Sequence, residues 1–156
     1  MINRKIKLRN LFVLLMAAVL LLSISGCAKE DEGPKISCTV SIDCRDAFDF
    51  GYEMAAEVSD GGVILPEQTV SVAEGTNVYE LLEQVTKEAK IPVAKQGEGD
   101  MLYVDKINSL GTGDCGASSG WVFTVNGDWV EEGCGVHVIQ DGDVIVWSLY
   151  CEPLED

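Results

Sequence analysis

The stretch from Ser119 to Cys151 constrains the fold of this chain more than any other part of the sequence. It contains two strand-like segments, Trp121–Val125 and Val144–Cys151. The first segment ends at Asn126-Gly127, and both residue types tolerate positive φ, so this dipeptide predicts a tight β-turn. We therefore expect a β-hairpin and a further strand at this end of the chain.

Side-chain alternation in the second segment identifies its core face. Successive residues of a strand point to opposite faces. One face of the segment is entirely apolar and is predicted to lie in the core: Ile145, Trp147, Leu149 and Cys151. The stretch 119–151 also contains all three tryptophans of the chain, which are Trp121, Trp129 and Trp147.

Residues 1–26 have the pattern of an export signal. Basic residues precede the apolar run 11–22, which is too short to cross a bilayer core about 30 Å thick as a helix. The run leads to Ile24-Ser25-Gly26-Cys27, and a Cys directly after Ser-Gly resembles a bacterial lipobox. We expect cleavage before Cys27 and acylation of its sulfur with more than one chain, which suffices for stable anchoring. The alternative is an ordinary signal peptide followed by an incidental Cys.

Beyond the signal, composition predicts a polar tether at 27–37 and one domain at 38–156. Residues 1–26 hold four of the 11 Lys and Arg residues and none of the 26 Asp and Glu residues, so the rest carries a net charge of −19. Such a field repels nucleic acid. We expect an exported module anchored through Cys27 to the outer face of the bacterial cytoplasmic membrane.

Three further segments are strand-like. Cys38–Cys44 alternates between apolar and polar residues, and Gln68–Ala73 and Met101–Ile107 have similar patterns. The run 45–58 is ambiguous and is expected to be a short helix or an irregular excursion. Residues 109–120 form a long Gly- and Ser-rich connection that Cys115 is expected to pin.

One segment has clear helical periodicity. Apolar residues recur at 3.6-residue spacing over Val78–Lys90. Asn77 and Glu80 precede and open this run in the spacing of a capping box. Strands that outnumber a single good helix predict an α+β fold, a small mixed sheet with the helix packed on one face.

Five cysteines besides Cys27 are expected to form disulfides in an oxidising compartment, and the odd number leaves at least one unpaired. Cys115 and Cys134 flank the hairpin region and are the favoured pair. If the first and last strands are parallel and adjacent, Cys44–Cys151 is favoured as the second pair. If they are antiparallel, Cys38–Cys151 is favoured instead.

The sequence offers little for catalysis, and we predict that the protein is not an enzyme. His137 is the only histidine, and no nucleophile, metalloprotease or phosphate-loop motif accompanies it. No CxxC spacing is present, which argues against a zinc site. The acidic pairs Glu131-Glu132 and Asp141/Asp143 lack the spacing of a calcium-binding loop and are interpreted as turn-forming or solvated residues. We therefore expect no metal and no cofactor.

Aromatic residues are the better candidates for a binding site. Trp129 follows the predicted turn and stands among acidic residues. An exposed Trp at such a position is explained either by packing over the sheet edge or by contact with a ligand or protein partner. Tyr103 and Tyr150 are weaker candidates of the same kind.

The combined pattern resembles the transcobalamin-like C-terminal domain family over residues 38–151. The motifs that carry the resemblance are Cys38–Cys44, Gly62–Pro66, Glu74-Gly75, Cys115-Gly116, Ser119–Gly127, Gly133-Cys134, Asp141–Trp147 and Cys151. The resemblance implies a β-grasp-like fold and a role beside a corrinoid, a cobalamin-like ligand that such domains help to enclose together with a larger helical domain. It directs attention to the hairpin around Trp121 and Trp129. We expect no helical partner domain in this chain, so an importer or a second surface protein would supply the other half of the site.

Two functions follow from the sequence. The first is a lipid-anchored ligand-binding module that captures a corrinoid for uptake together with a partner protein. The second is a protein-interaction or display module that binds no small molecule. Apolar walls of a binding site favour the first function, and a flat acidic surface favours the second.

Overall fold

The computed structural model describes residues 33–153. Within these residues, twelve elements follow one another in chain order: β1 Lys35–Asp43, α1 Arg45–Asp49, α2 Glu53–Val58, β2 Val63–Ala73, α3 Val78–Ala89, β3 Val93–Gln96, a 3-10 turn at Gly99–Met101, β4 Tyr103–Ile107, β5 Leu110–Gly111, β6 Gly120–Val125, β7 Asp128–Trp129 and β8 Val144–Tyr150.

The main sheet has five strands in the order β2-β1-β8-β6-β7. β1 and β8 are parallel neighbours with Val40 opposite Ile145, whereas the other pairs in this sheet are antiparallel. A second sheet has the order β3-β4-β5. Strands together with few helices make this an α+β fold, as the sequence predicts.

The helix α3 begins and ends as its sequence requires. The Asn77 side chain accepts from the Glu80 N–H at 2.9 Å, and the Glu80 carboxylate accepts from the Asn77 N–H at 3.0 Å, which is the predicted capping box. Lys90 ends the helix in the left-handed conformation at φ 59°. The buried residues of α3 are Val78, Tyr79, Leu81, Leu82, Val85 and Thr86.

The core is formed by the inward faces of the strands and by α3. The predicted face of β8 is confirmed, since Ile145, Trp147, Leu149 and Cys151 are all buried. From β1 the buried residues are Cys38, Val40 and Ile42, followed by Cys44 just beyond its end. The hairpin turn is also confirmed, with Asn126 at φ 55° and Gly127 at φ 86°.

Several predicted boundaries change. The strand expected at 68–73 begins at Val63 and continues through Pro66, in the part of β1–β2 pairing where the register shifts. The ambiguous run 45–58 folds as α1 and α2, with Gly51 at φ 83° between them. β3 was not predicted, because its sequence Val-Ala-Lys-Gln carries too short an apolar pattern.

Candidate functional site

A groove with a volume of about 210 Å³ lies between the β6–β7 edge of the main sheet and β4. Its walls are mostly apolar and aromatic. The lining residues are Leu102, Tyr103, Val104, Trp121, Val122, Phe123, Trp129, Val130, Gly133, Cys134 and Trp147. All three tryptophans of the chain therefore lie at one place.

The sheet side of the groove is a cross-strand aromatic pair. Phe123 on β6 stands opposite Trp147 on β8, with ring centroids 5.3 Å apart. This separation is within the range of favourable aromatic contact. Trp121 lies two pairs further along, opposite Leu149, and its Nε1 donates to the Leu110 carbonyl at 2.9 Å. The hydrogen bond fixes the indole ring against β5.

Trp129 occupies the outer end of the groove. It pairs with Thr124 directly after the Asn126-Gly127 turn, and the side chain is 68% exposed. β7 is only two residues long, so Trp129 stands at the free edge of the sheet. The structure therefore places this Trp at the mouth of the groove and leaves most of its ring in solvent.

Two glycines let the opposite wall close tightly. A Cβ at Gly135 would lie 2.4 Å from the Gly99 carbonyl oxygen, and one at Gly133 would lie 2.6 Å from the Asp100 carbonyl oxygen. Only glycine permits such an approach of two backbones. The segment 99–102 and the loop 133–135 are consequently held together beside the groove.

The N-terminus of α3 anchors the same loop. The N–H groups of Val78 and Tyr79 donate to the carbonyls of His137 and Cys134 at 3.0 and 2.9 Å. These N–H groups have no partner inside their own helix. The loop that carries one wall of the groove is thus tied to the most regular helix of the fold.

Two polar groups lie within the apolar walls. The Cys134 thiol donates to the Leu102 carbonyl at 3.5 Å, and burial raises the pKa of this thiol to about 11. Trp147 is only 1% exposed, and its Nε1 has no hydrogen-bond partner among the described residues. A buried N–H without a partner is costly, so it is a donor for any acceptor that can reach it.

Four large exposed side chains line the groove or lie next in sequence to the segments that form its wall. Tyr103 is 46% exposed and Trp129 is 68% exposed. Met101, next to Leu102, is 75% exposed, and Val136, next to Gly135, is 43% exposed. A cluster of large exposed apolar side chains is typical of a binding surface. We call these four residues the apolar rim.

The three ligand-binding residues chosen from the sequence meet at this site, since Tyr103, Trp121 and Trp129 all line the groove. The prediction missed the wall formed by Leu102, Val104 and Val130. Phe123 and Trp147 were assigned to strands without a role in the site. The available signal was the alternation of apolar residues along the two strands. Phe123 lies two residues after Trp121, and Trp147 lies two residues before Leu149, so both rings are expected on the same face as Trp121.

The cysteines fall into separate places, and the structure describes all five as free buried thiols. The Glu152 N–H donates to the Cys115 carbonyl, which places Cys115 beside Cys151, and Cys44 lies near both. Cys134 lies at the groove, and Cys38 lies near Asp143 at the other end of β1. The parallel β1–β8 pairing meets the condition under which Cys44–Cys151 is favoured. The Cys134 thiol is hydrogen-bonded to the Leu102 carbonyl, and the Cys115 carbonyl is hydrogen-bonded to the Glu152 N–H.

The acidic and histidine candidates have structural partners. Asp143 is buried and accepts from Asn126 Nδ2 and the Gln140 N–H, each at 2.8 Å. Asp141 accepts from the Ser37 N–H at 2.8 Å. The His137 ring contacts Phe123, and its Nδ1 lies 2.9 Å from Glu132 Oε2. Over residues 33–153 no group of three or more His, Cys, Asp or Glu side chains is arranged to hold a metal ion.

The predicted signal peptide, the predicted lipidation site Cys27 and most of the predicted tether lie outside the described residues. No helix within residues 33–153 is long and apolar enough to cross a membrane.

Comparison of this chain with known proteins gives a match to one protein family and structures of similar fold. A family described as a domain of unknown function (DUF4430) matches residues 75–150. No curated protein matches the chain. The structure is similar to that of haptocorrin in complex with Cbi, with a TM-score of 0.53 and 16% identity, covering 81% of this chain and 28% of haptocorrin. A protein of Ruminococcus gnavus ATCC 29149, described as a candidate metal-binding protein, aligns over 75% of this chain and 98% of its own with a TM-score of 0.46 and 14% identity. This chain thus spans just over a quarter of the length of haptocorrin, and at these identities the likeness concerns the fold alone.

Proposed function

We propose that this protein is a cell-surface lipoprotein whose domain binds a ligand in the aromatic groove, and that the ligand is a corrinoid captured for uptake together with a partner protein. The observation that carries the proposal is the convergence of Tyr103, Trp121 and Trp129 on one apolar groove. Flat aromatic walls suit a ligand with a large apolar face. The protein acts in this proposal as a binding module and not as an enzyme.

The size of the groove supports a shared site. Pockets that enclose a drug-sized ligand usually have volumes of about 300–1,000 Å³. The groove has about 210 Å³ and is open, so it takes one edge of a larger molecule. The apolar rim then contacts the remaining face of that molecule. A second surface, from an importer or another surface protein, covers the side that this domain leaves in solvent.

The similarity to haptocorrin supports the ligand class. Haptocorrin was solved in complex with Cbi, and this chain resembles 28% of its length. A domain of that size would supply one part of an enclosing site. We also propose that the fold is β-grasp-like, as the resemblance to the transcobalamin-like family implies.

The proposal also includes the location of the protein. Cys27 follows the lipobox-like sequence, so the domain is held at the outer face of the cytoplasmic membrane by lipid. Export brings the cysteines into an oxidising compartment, where disulfides staple the domain. A negatively charged domain on a short tether then faces the cell exterior.

The apolar rim favours a second candidate function. Met101, Trp129 and Val136 are more exposed than residues enclosed in a small-molecule site usually are. Such a surface also fits a protein interface, in which aromatic residues and Met are enriched. In this alternative the groove receives a side chain of a partner protein, and the domain binds no small molecule.

Equilibrium dialysis of the full chain in mild detergent against cyanocobalamin and dicyanocobinamide tests the proposal, with corrinoid absorbance as the readout and detergent alone as the control. We expect saturable uptake at one equivalent per chain. Absence of uptake by the wild-type protein up to millimolar ligand would reject corrinoid binding by this domain alone. The interaction function would then be examined with the partner surface proteins.

A further inference from the structure

Three buried cysteines lie at one end of the main sheet. Because β1 and β8 are parallel with Asp43 opposite Ser148, both strands end on the same side of the sheet. Cys44 directly follows β1, and Cys151 directly follows β8. Cys115 in the loop 112–119 completes the cluster, because its carbonyl is hydrogen-bonded to the residue after Cys151.

Backbone hydrogen bonds hold Cys115 and Cys151 together independently of their side chains. The Glu152 N–H donates to the Cys115 carbonyl at 3.0 Å, and the Ser118 N–H donates to Glu152 Oε1 at 3.0 Å. A Cβ at Gly116 would lie 2.6 Å from Glu152 Oε2, so the loop rests directly on the residue after Cys151. A disulfide requires a Cα separation of about 4.4–6.8 Å. The contacts of Gly116 and Ser118 with Glu152 hold the chain around Cys115 beside the chain around Cys151.

The other two described cysteines lie elsewhere. Cys134 is hydrogen-bonded to the Leu102 carbonyl at the groove. Cys38 shares a face of β1 with Cys44 but lies six residues earlier, a distance of about 20 Å along an extended strand. The choice of partner for Cys151 is therefore between Cys115 and Cys44. The hydrogen bonds that join Glu152 to Cys115 and to Ser118 favour Cys115.

We propose that Cys115 and Cys151 form a disulfide that fastens the loop 112–119 to the end of β8, while Cys44 remains a buried thiol beside it. Each of the two thiols gives up one proton and one electron as the S–S bond forms. A disulfide of the glutathione class accepts both electrons and is released as two thiols. This proposal assigns one cysteine pair to the disulfides included in the proposed function. It depends on the proposed export only because export would supply the oxidant.

The staple has a consequence for the groove. The loop 112–119 leads directly into β6, which carries Trp121. The Ser119 hydroxyl accepts from the Cys115 N–H at 3.0 Å, so the fixed end of the loop lies only two residues before that tryptophan. A disulfide at Cys115 therefore holds the start of one groove wall in place before any ligand arrives.

The test is disulfide mapping on the full chain purified in detergent, after equilibration with glutathione disulfide and without any corrinoid. Free thiols are alkylated before digestion. Chymotrypsin is used because no Lys or Arg follows Lys106, whereas Trp121, Trp129 and Trp147 separate the three C-terminal cysteines. We expect one linked peptide pair joining Cys115 to Cys151, with Cys44 alkylated.

Variants make the assignment specific. Cys44→Ser and the control Cys38→Ser retain the linked pair and lose on the order of 10 °C in Tm on reduction. Cys115→Ser and Cys151→Ser lose both the linked pair and the reduction-dependent shift. If either of these two variants does not fold, the wild-type peptide map alone decides.

Linkage of Cys151 to Cys44, linkage of Cys115 to Cys134, or alkylation of both Cys115 and Cys151 after oxidation would overturn the proposal. Since the oxidant is supplied and no ligand is present, none of these results depends on corrinoid binding or on export. A negative dialysis experiment would likewise leave the disulfide assignment intact.

Discussion

Trp129 is the most exposed aromatic side chain in the described part of the chain. Its neighbours in the groove, Trp121 and Trp147, are buried and therefore serve packing as well as binding. Replacing Trp129 removes contact area for a ligand without opening the core. This separation makes Trp129 the residue at which binding can be tested apart from stability.

We predict that Trp129→Ala weakens corrinoid binding about tenfold or more, a loss of at least about 1.4 kcal/mol. The free energy of unfolding should change by less than about 0.5 kcal/mol, because the side chain is mostly in solvent. Dialysis and urea unfolding measure the two quantities. Tyr150→Ala is the control, since Tyr150 is an exposed aromatic outside the groove. Equal binding by the Trp129 variant and wild type would remove the residue from the site.

Asp43 gives a pH-dependent prediction. Burial is the largest cause that raises the pKa of this carboxyl above its usual 3.8. The folded state therefore holds the proton more tightly than the unfolded state does. The resulting stabilisation is fully present below about pH 3.8 and is lost as the pH rises through the folded pKa.

Asp43→Asn should remove this loss. We expect the stability of the variant relative to wild type to increase as the pH rises from about 3.8, and then to level off. Urea unfolding from pH 3.5 to 7 measures it, with Glu88→Gln, an exposed carboxylate on α3, as the control. A difference between Asp43→Asn and wild type that stays constant with pH would contradict the assigned cause.

The helix α3 and the loop 133–138 act together at the scale of elements. The helix supplies the N–H groups that hold the loop, and the capping box fixes where the helix begins. Loss of the cap should therefore loosen the loop beside the groove as well as destabilise the helix.

Asn77→Ala should reduce the free energy of unfolding by about 1 kcal/mol, the usual cost of losing an N-cap side chain. Glu88→Ala, further along the same helix and exposed, should change it by less than about 0.5 kcal/mol. Urea unfolding at neutral pH compares the two variants. Similar values for both would show that the capping box does not set the start of the helix.

Gly135 provides an element-scale test of the groove itself. A methyl group there meets the Gly99 carbonyl oxygen, so Gly135→Ala should push the two segments of the wall apart. We expect a loss of about 1–3 kcal/mol in stability and weaker ligand binding. Gly120→Ala is the matched control, because its Cβ would make an ordinary contact of 3.7 Å with Thr112 Oγ1. A Gly135 variant as stable as the Gly120 variant would contradict this account of the wall.

Local patterns predicted the elements that are long and periodic. Alternation in Val144–Cys151 identified the buried face of β8, and the spacing from Val78 onward identified α3. The short strands β3 and β5 carry too few residues for a pattern, and their pairing depends on contacts distant in sequence. The continuation of β2 through Pro66 was hidden for a related reason, since a proline weakens a strand pattern unless a bulge accommodates it.

The site was predictable in part. Trp129 stood out because an aromatic residue after a tight turn needs an explanation. Tyr103 was only a weaker candidate, and the position of its strand beside the hairpin, in a separate sheet, could not be read from spacing. The position of Cys115 beside Cys151 was missed, because hydrogen bonds between the loop 112–119 and Glu152 determine it.

The whole molecule combines an acidic exterior with one open aromatic groove. The net charge of −19 beyond residue 26 disfavours the binding of nucleic acid and other anionic partners. The groove is too small to enclose a large ligand, and the apolar rim extends beyond it. Both features fit one half of a binding site, which is why the proposed function includes a second protein that covers the exposed side of the bound ligand.

The central claim is that the groove formed by Tyr103, Trp121 and Trp129 is where a corrinoid binds. All three indole N–H groups of the chain belong to residues that line it, so their nuclear magnetic resonance signals report on this site directly. We would record them for the 15N-labelled full chain in detergent during titration with dicyanocobinamide. We expect the Trp129 signal to move most and to saturate together with that of Trp121. Three unchanged indole signals, with ligand bound elsewhere or not at all, would contradict it.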